Sequence, residues 1–440
     1  MLGEIIIKLR KIHLFSSVCF GENEKSQILF IFDGIFVNAA TILTTGVFLS
    51  GYIVNLKGSD FLVGVLNNSS IWASIASVFS FLLFERMKRR KRLLLALNAF
   101  SRFLICSSVF VPMIFSNRAT VLTVVAMMII IGNVVWGFYN IGITVMMIGL
   151  LQNENRSQYI YVRMFWLRVS FTLTTIIMGF VLDLFNKSYT GFVVVFVISL
   201  IFSIADVLVL AYVDEPQYRV DKEVKFDSRM FFEPVKDKKY RRFLMFIFLF
   251  YLFTTAATSF TPLYQIRYLK LGYGFISSIN VITYLLMIAC TRFWSRIERC
   301  RGVGAVIKFT AVFAVAEVFI YAFLTNNTLY LLFLSSIVSG IGYSGFNAAT
   351  LTYRYELMPE RDKTIYEGWF NAIYGLSTLI SPVIGSILMN NVYDVHNAVF
   401  KNGRMQLLYL FSALCAGFIV YLMLYRKSKK KVCISKGMGI

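Results

Sequence analysis

The chain of 440 residues is 58% apolar and 15% charged, with 43 Phe and a formal net charge of +21. Soluble domains carry about 45–50% apolar and about 25% charged residues, so this composition excludes a string of ordinary soluble domains and requires much of the apolar surface to face lipid. Six scattered cysteines without a C-x-x-C pair, and two histidines, His13 and His396, point to neither a zinc site nor a disulfide framework.

Residues 1–26 read as a cytoplasmic N-terminal segment, too mixed in character for a cleavable signal. Its stretch Ile5–Phe15, with Lys8, Arg10 and Lys11, is a topology signal that could also lie on the membrane surface. A bilayer-crossing helix needs about 20 mostly apolar residues. Twelve runs qualify: 27–51, 60–84, 93–115, 120–145, 159–183, 191–213, 243–266, 275–295, 303–324, 329–352, 367–389 and 406–425. Between the sixth and seventh lies 214–242, with Pro216, Pro234, nine basic and seven acidic residues. It is expected to be a cytoplasmic loop joining an N-terminal six-helix bundle, 27–213, to a C-terminal one, 243–425. Residues 426–440 form a basic cytoplasmic tail. The predicted fold is an all-α membrane protein, twelve transmembrane helices in two pseudo-symmetric six-helix bundles.

The positive charge follows the topology. With the N-terminus inside, 33 Lys and Arg fall on the inner side, counting Arg292 at the inner end of span 8, and 7 on the outer side. Cytoplasmic loops carry the excess of Lys and Arg. The charge therefore reports orientation, multi-pass with both termini cytoplasmic, and calls for no nucleic-acid partner.

Weak internal repeats are a mark of transporters. At an offset of 213, Glu85-Arg86 matches Glu298-Arg299, Leu56-Lys57 matches Leu269-Lys270, and Thr41 and Thr45 match Thr254 and Thr258. At an offset of 207, Arg156-x-x-Tyr159 matches Lys363-x-x-Tyr366, and Asn140 falls on Asn347. Two nearby offsets, combined with the helix count, indicate a six-plus-six duplication.

These features resemble the major facilitator superfamily over essentially the whole chain. Its signature G-x-x-x-D-R-x-G-R-R corresponds to Phe81-Leu82-Leu83-Phe84-Glu85-Arg86-Met87-Lys88-Arg89-Arg90, with Glu for Asp and both glycines replaced. The resemblance implies that Glu85, Arg86, Arg89, Arg90, Glu298 and Arg299 form a cytoplasmic latch between helix ends. Asp33-Gly34-Ile35-Phe36-Val37-Asn38-Ala39-Ala40 is similar to the D-x-T-[IV]-V-N-x-A pattern of drug/proton antiporters. The helix 4 Arg and the Pro/Gly-rich helix 5 motif of those antiporters are absent.

Charged groups inside a membrane are expensive, which makes them functional candidates. Asp33 is the leading proton-coupling candidate, with Arg168 as its candidate partner and Glu317 as a second proton site. A permanent Asp33–Arg168 ion pair, or an Arg168 that holds an anionic substrate group, are alternatives. Arg102, Asp206 and Glu317 are expected to be structural in the first place, Asp206 reaching the inner interface, with Glu317 the second proton site if one exists, and Arg163 is expected to snorkel to the interface. Substrate-cavity candidates are Asn38, Thr41 and Thr45 in span 1; Trp136, Tyr139 and Asn140 in span 4; Tyr251, Thr254 and Thr258 in span 7; and Tyr343 and Asn347 in span 10. The resemblance places spans 1, 4, 7 and 10 around a central cavity. The plain alternative for the hydroxyls is bonding to their own backbone.

Aromatic and neutral polar candidates favour an uncharged, weakly cationic or amphipathic small molecule, a drug-like compound or short peptide. The expected activity is proton-coupled export by alternating access, driven by the proton gradient with no bound cofactor or metal, in a monomer whose partners are its small-molecule substrate and the lipid bilayer. An importer or a lipid flippase on the same fold is the alternative. An enzyme is not expected, because no cluster of Asp, His or Cys supplies catalytic chemistry.

Overall fold

The computed structural model describes residues 24–79, 84, 87, 89–150, 156–215, 232–358, 363–391 and 403–425. Of these, 88% are helical, and no strand occurs among them. Span 1 comprises Glu24–Leu43 and Gly46–Asn55; span 3, Lys91–Ser107 extended by two short turns to Ile114; span 4, Arg118–Gly149; span 5, Arg156–Leu184; and span 6, Tyr189–Ala211. In the second half, span 7 comprises Lys238–Thr258, Thr261–Leu263 and a π turn, Tyr264–Tyr268; span 8 is Tyr273–Arg301; span 9, Val303–Tyr321; span 10, Tyr330–Leu357; span 11, Lys363–Asn391; and span 12, Gly403–Tyr425. A short helix, Glu233–Lys236, precedes span 7.

Eleven of these helices are long and apolar enough to cross a membrane. The remaining one, span 2, is broken into Asp60–Asn67, Ser69–Trp72 and a 3-10 stretch, Ala73–Phe79. The break lies in Asn67-Asn68-Ser69-Ser70, residue types whose side chains compete for backbone hydrogen bonds. The Ser69 hydroxyl donates to the Leu66 carbonyl at 2.7 Å, and Asn133 Nδ2 of span 4 donates to Ser69 Oγ at 2.8 Å. Such substitutes for backbone partners are what make a broken helix tolerable away from water.

Two compact units emerge: Met1–Phe226 with Gly272–Ser277, and Asp227–Leu271 with Ser278–Ile440. The first turn of span 8 thus belongs to the first unit. There the Asp183 carboxylate accepts hydrogen bonds from the backbone N–H groups of Tyr273 (2.9 Å) and Gly274 (2.7 Å).

Inside the first unit, span 1 packs on spans 5 and 6, and span 3 on spans 4 and 6; inside the second, span 7 packs on spans 11 and 12, and span 9 on spans 10 and 12. One pairing scheme, advanced by six helices, therefore serves both. The backbone repeats it. Lys57 and Lys270, 213 residues apart, both adopt left-handed φ values of 57° and 53°. Span 1 breaks at Thr44–Thr45, and span 7 breaks after Thr258, the equivalent of Thr45. The Tyr159 hydroxyl donates to the Gln27 carbonyl at 2.8 Å, and that of Tyr240 to the Tyr366 carbonyl at 2.7 Å, joining the same two positions in each unit.

The apolar excess lies on the helix exteriors, where Phe100, Phe103, Ile177, Phe180, Ile204 and Leu208 are exposed. In water this would be a severe liability; on a multi-pass membrane protein it is the lipid-facing surface.

Candidate functional site

In the first unit, spans 1, 3, 4, 5 and 6 bring a group of charges into an apolar interior. Asp33 is 1% exposed, and Asp206 and Asn98 are 0% exposed. Asp33 Oδ2 lies 3.9 Å from Arg163 Nη2, and Arg163 Nε donates to the Phe30 carbonyl at 3.3 Å. Asp33 and Asp206 stand opposite one another on spans 1 and 6, in a register set by the Ser199 hydroxyl on the Ala40 carbonyl at 2.8 Å and by the Phe36–Phe202 ring contact at 6.3 Å. Asn98 Nδ2 donates to Asp206 Oδ2 at 2.7 Å. Arg102 donates to Thr41 Oγ1, and its guanidinium carbon sits 3.8 Å from the centre of the Trp136 ring. A desolvated cation–π contact of this kind is worth about 2 kcal/mol or more. Trp136 in turn lies against buried Tyr139, with ring centroids 4.8 Å apart.

The register of spans 1 and 5 determines which arginine reaches Asp33. The Tyr159–Gln27, Arg163–Phe30, Asn38–Leu167 and Ser170–Ile35 bonds join residues 129 to 135 apart, so Asp33 lies level with residues near 163–168. Arg163 and Arg168 are five residues apart, about 140° around a helix. Arg163 is the one turned toward Asp33, and Gly34 makes room for it: a Cβ there would stand 3.1 Å from Arg163 Nη2 and 2.6 Å from Leu167 Cδ1. Arg163 thus stands beside Asp33. Two expectations are corrected here: Arg163 turns inward instead of snorkelling, and Asp206 is wholly buried instead of reaching an interface.

The second unit holds a different polar site. Glu317 of span 9 lies near the Ser339 and Tyr343 hydroxyls of span 10. Its Oε2 has no further partner among the described residues. Beyond it, Gln265 Nε2 donates to the Tyr321 hydroxyl at 3.0 Å, Tyr321 stacks on Tyr409 at 5.2 Å, and the Tyr409 and Thr261 hydroxyls are 2.7 Å apart. Tyr251 packs against Tyr374 at 4.4 Å and Phe346 at 6.2 Å.

The threonine stripes spend their protons on their own helices. Thr41 donates to Val37 (2.6 Å), Thr45 to Thr41 (2.9 Å), Thr254 to Phe250 (2.8 Å) and Thr258 to Thr254 (3.1 Å). Such back-bonding bends helices, and both spans break at the end of these runs. Asn38 Nδ2 is engaged by the Leu167 carbonyl at 2.7 Å. Asn140 and Asn347, by contrast, are exposed on their units, while Tyr343 is half-buried.

Of the latch residues, Glu85 and Arg86 lie outside the described residues, as does the Arg299 side chain; Arg89 is exposed. The Arg90 and Lys91 backbone N–H groups donate to Glu215 Oε1, the latter at 3.0 Å. Glu215, just past the end of span 6, thereby serves the N-terminus of span 3, where a negative charge is stabilising. At the end of span 8, past its apolar stretch Tyr273–Cys290, burial raises the Glu298 carboxyl above its ordinary range and nearby Glu356 raises it further, against a hydrogen bond from Thr352. A further ion pair, Arg354–Glu367 at 3.0 Å with the guanidinium 3.9 Å from the Phe370 ring centre, links spans 10 and 11. Sequence reasoning passed over it because Arg354 counts among the inner-side cations and Glu367 is the first residue of the eleventh apolar run.

The sequence pattern of the MFS_1 like family matches residues 45–401. No curated protein sequence matches the chain. Among solved structures, the fold is similar to nucleoside transporter NupG, at TM-score 0.64, 17% identity, and coverage of 91% of this chain and 98% of that one. It is also similar to a D-xylose-proton symporter (TM-score 0.66, 14% identity, 90% and 96% covered). A third likeness is to a POT family transporter in complex with a thioalcohol conjugated peptide (TM-score 0.67, 12% identity, 93% and 98% covered).

Proposed function

This chain belongs to the MFS_1 like family, and we propose that it is a proton-coupled exporter of a small amphipathic solute, uncharged or weakly cationic. It would work by alternating access as a monomer in the cell membrane, with both termini cytoplasmic. The observation that carries this reading is Asp33, a carboxyl buried in span 1 beside both Asp206 and Arg163. A carboxyl between a second acid and a cation responds strongly to small movements, because the two neighbours act on its charge in opposite directions.

The sense of transport rests on the Asp33-to-Ala40 stretch and its likeness to drug/proton antiporters. The substrate class rests on the groups each unit offers: neutral amides at Asn140 and Asn347, and aromatic rings at Trp136, Tyr251 and Tyr343. None of these selects a phosphate or a dicarboxylate. The solved relatives named above carry a nucleoside, a pentose or a peptide, all small polar organic solutes.

The test begins with thermal unfolding of the purified protein against uridine, D-xylose, a dipeptide and ethidium. A ligand present at a hundred times its Kd stabilises the folded state by about 2.7 kcal/mol. Any ligand that stabilises is then followed in proteoliposomes under an imposed pH gradient. Movement against the incoming proton, lost in Asp33→Asn, supports the proposal. Co-movement with the proton would make the protein an importer, and flux indifferent to the gradient would remove proton coupling.

A further inference from the structure

Three buried oxygens of the first unit, Asp33 Oδ1, Asp206 Oδ1 and Asn98 Oδ1, lack a hydrogen-bond partner among the described residues. Their residues sit on spans 1, 6 and 3 and are at most 1% exposed. Spans 1 and 6 run antiparallel in a register fixed by Ser26 on Asp214, Phe36 against Phe202 and the Ser199 hydroxyl on the Ala40 carbonyl, which sets Asp33 opposite Asp206, and two carboxylates contain no donor. A buried acceptor left unpaired costs about 1–3 kcal/mol, and more when charged.

We propose that Asp33 and Asp206 bind one proton between them, as a carboxyl–carboxylate pair held by Asn98, so that Asp206 is an equal member of the proton site. One proton added to the dianionic pair makes one O–H bond, donated from one carboxyl to the other; on release it returns to water, and no other bond changes. Among the described residues, the charged and titratable groups facing the pair fit this assignment. Asn98 and Arg102 approach Asp206 from span 3, Tyr139 lies near both acids on span 4, and Tyr159 and Arg163 lie near Asp33 on span 5. Two arginines balance two carboxylates, so the cluster of Asp33, Asp206, Arg102 and Arg163 is neutral without the proton and carries one positive charge with it. Two fixed cations beside the pair also disfavour a metal ion in that place. The use of this proton in transport rests on the proposed proton coupling; its location does not.

The experiment is infrared difference spectroscopy of the full chain in lipid nanodiscs, in H2O and D2O across a pH series. A protonated-carboxyl band is expected in the wild type, and it should be lost completely in both Asp33→Asn and Asp206→Asn while surviving in Glu317→Gln. Asp206→Glu, which keeps both carboxyls, should keep a shifted band and guards against a misfolded Asp206→Asn. Loss in Asp33→Asn alone would place the proton on Asp33 only and overturn the sharing. Survival in both Asn variants would overturn the site. Discharge of the band when sodium chloride replaces choline chloride would assign the site to sodium instead. If the band behaves as expected while wild-type flux ignores a pH gradient, the proton site stands and the coupling proposal fails.

Discussion

The two units share a packing scheme, a pair of left-handed lysines and a pair of reciprocal tyrosine bonds, yet their interiors differ at the positions that matter most. At the offsets of 213 and 207, Asp33 corresponds to Phe246, Asn98 to Ala311, Arg102 to Val315, Arg163 to Phe370 and Asp206 to Ala413. Phe370, Ala311 and Ala413 belong to the buried apolar core of the second unit. The same architecture thus stands with an apolar filling in one copy and a four-charge cluster in the other. Replacing a buried ion pair by well-packed apolar residues is often neutral or stabilising, so the second unit shows that the fold does not need these charges. Their presence in the first unit is an expense that stability does not explain, and this is the argument for placing proton handling there. The polar site of the second unit, Glu317 in a setting of hydroxyls, is a different design at a position occupied by Leu104 in the first.

The comparison is broken most severely by removing one cation. Arg102→Met leaves its acidic neighbours uncompensated and should destabilise the protein by about 3–5 kcal/mol, read as a large fall in unfolding temperature. The double variant Arg102→Met/Asp206→Asn should recover part of it, while Val315→Met in the second unit should cost less than about 1.5 kcal/mol, a hydrophobic swap of modest volume change. A smaller, symmetric effect is expected for Tyr159→Phe and Tyr240→Phe. Each removes one buried hydrogen bond, worth about 1 kcal/mol, and unequal losses would show that the shared bond does unequal work. Smallest are Lys57→Gly and Lys270→Gly. A left-handed residue with a Cβ costs about 1–2 kcal/mol, and glycine gives back about 0.5–1 kcal/mol in entropy. Each variant should therefore stabilise slightly, by about 0.5–1 kcal/mol, and by equal amounts.

Helix number, the six-plus-six division and the repeat were legible because hydropathy over about 20 residues and positional matches such as Leu56-Lys57 with Leu269-Lys270 are properties of the chain itself. The matched lysines even carry the same backbone conformation. The break in span 2 was hidden because Asn67–Ser70 interrupt an apolar run too briefly to lower its average. The site was legible as a set of residue types and illegible as a set of partners. Asp33 stood out as an acid in lipid, but its neighbours depend on the register of spans 1 and 5 and on the rotation of span 6. Neither is encoded in the spacing of any one helix. That is why Arg163 was not read as a neighbour of Asp33, and why Asp206 was read as reaching the inner interface. The threonine stripes pointed to a polar face, and their protons turned inward to the backbone.

The measurement that bears most directly on this asymmetry compares gradient-driven transport in Asp33→Asn and Glu317→Gln, using whichever ligand stabilises the wild type and matched amounts of folded protein in proteoliposomes. Dependence on the pH gradient should vanish in Asp33→Asn and persist in Glu317→Gln, each with ligand binding retained. Dependence kept in Asp33→Asn and lost in Glu317→Gln would contradict the account and move proton handling to the second unit.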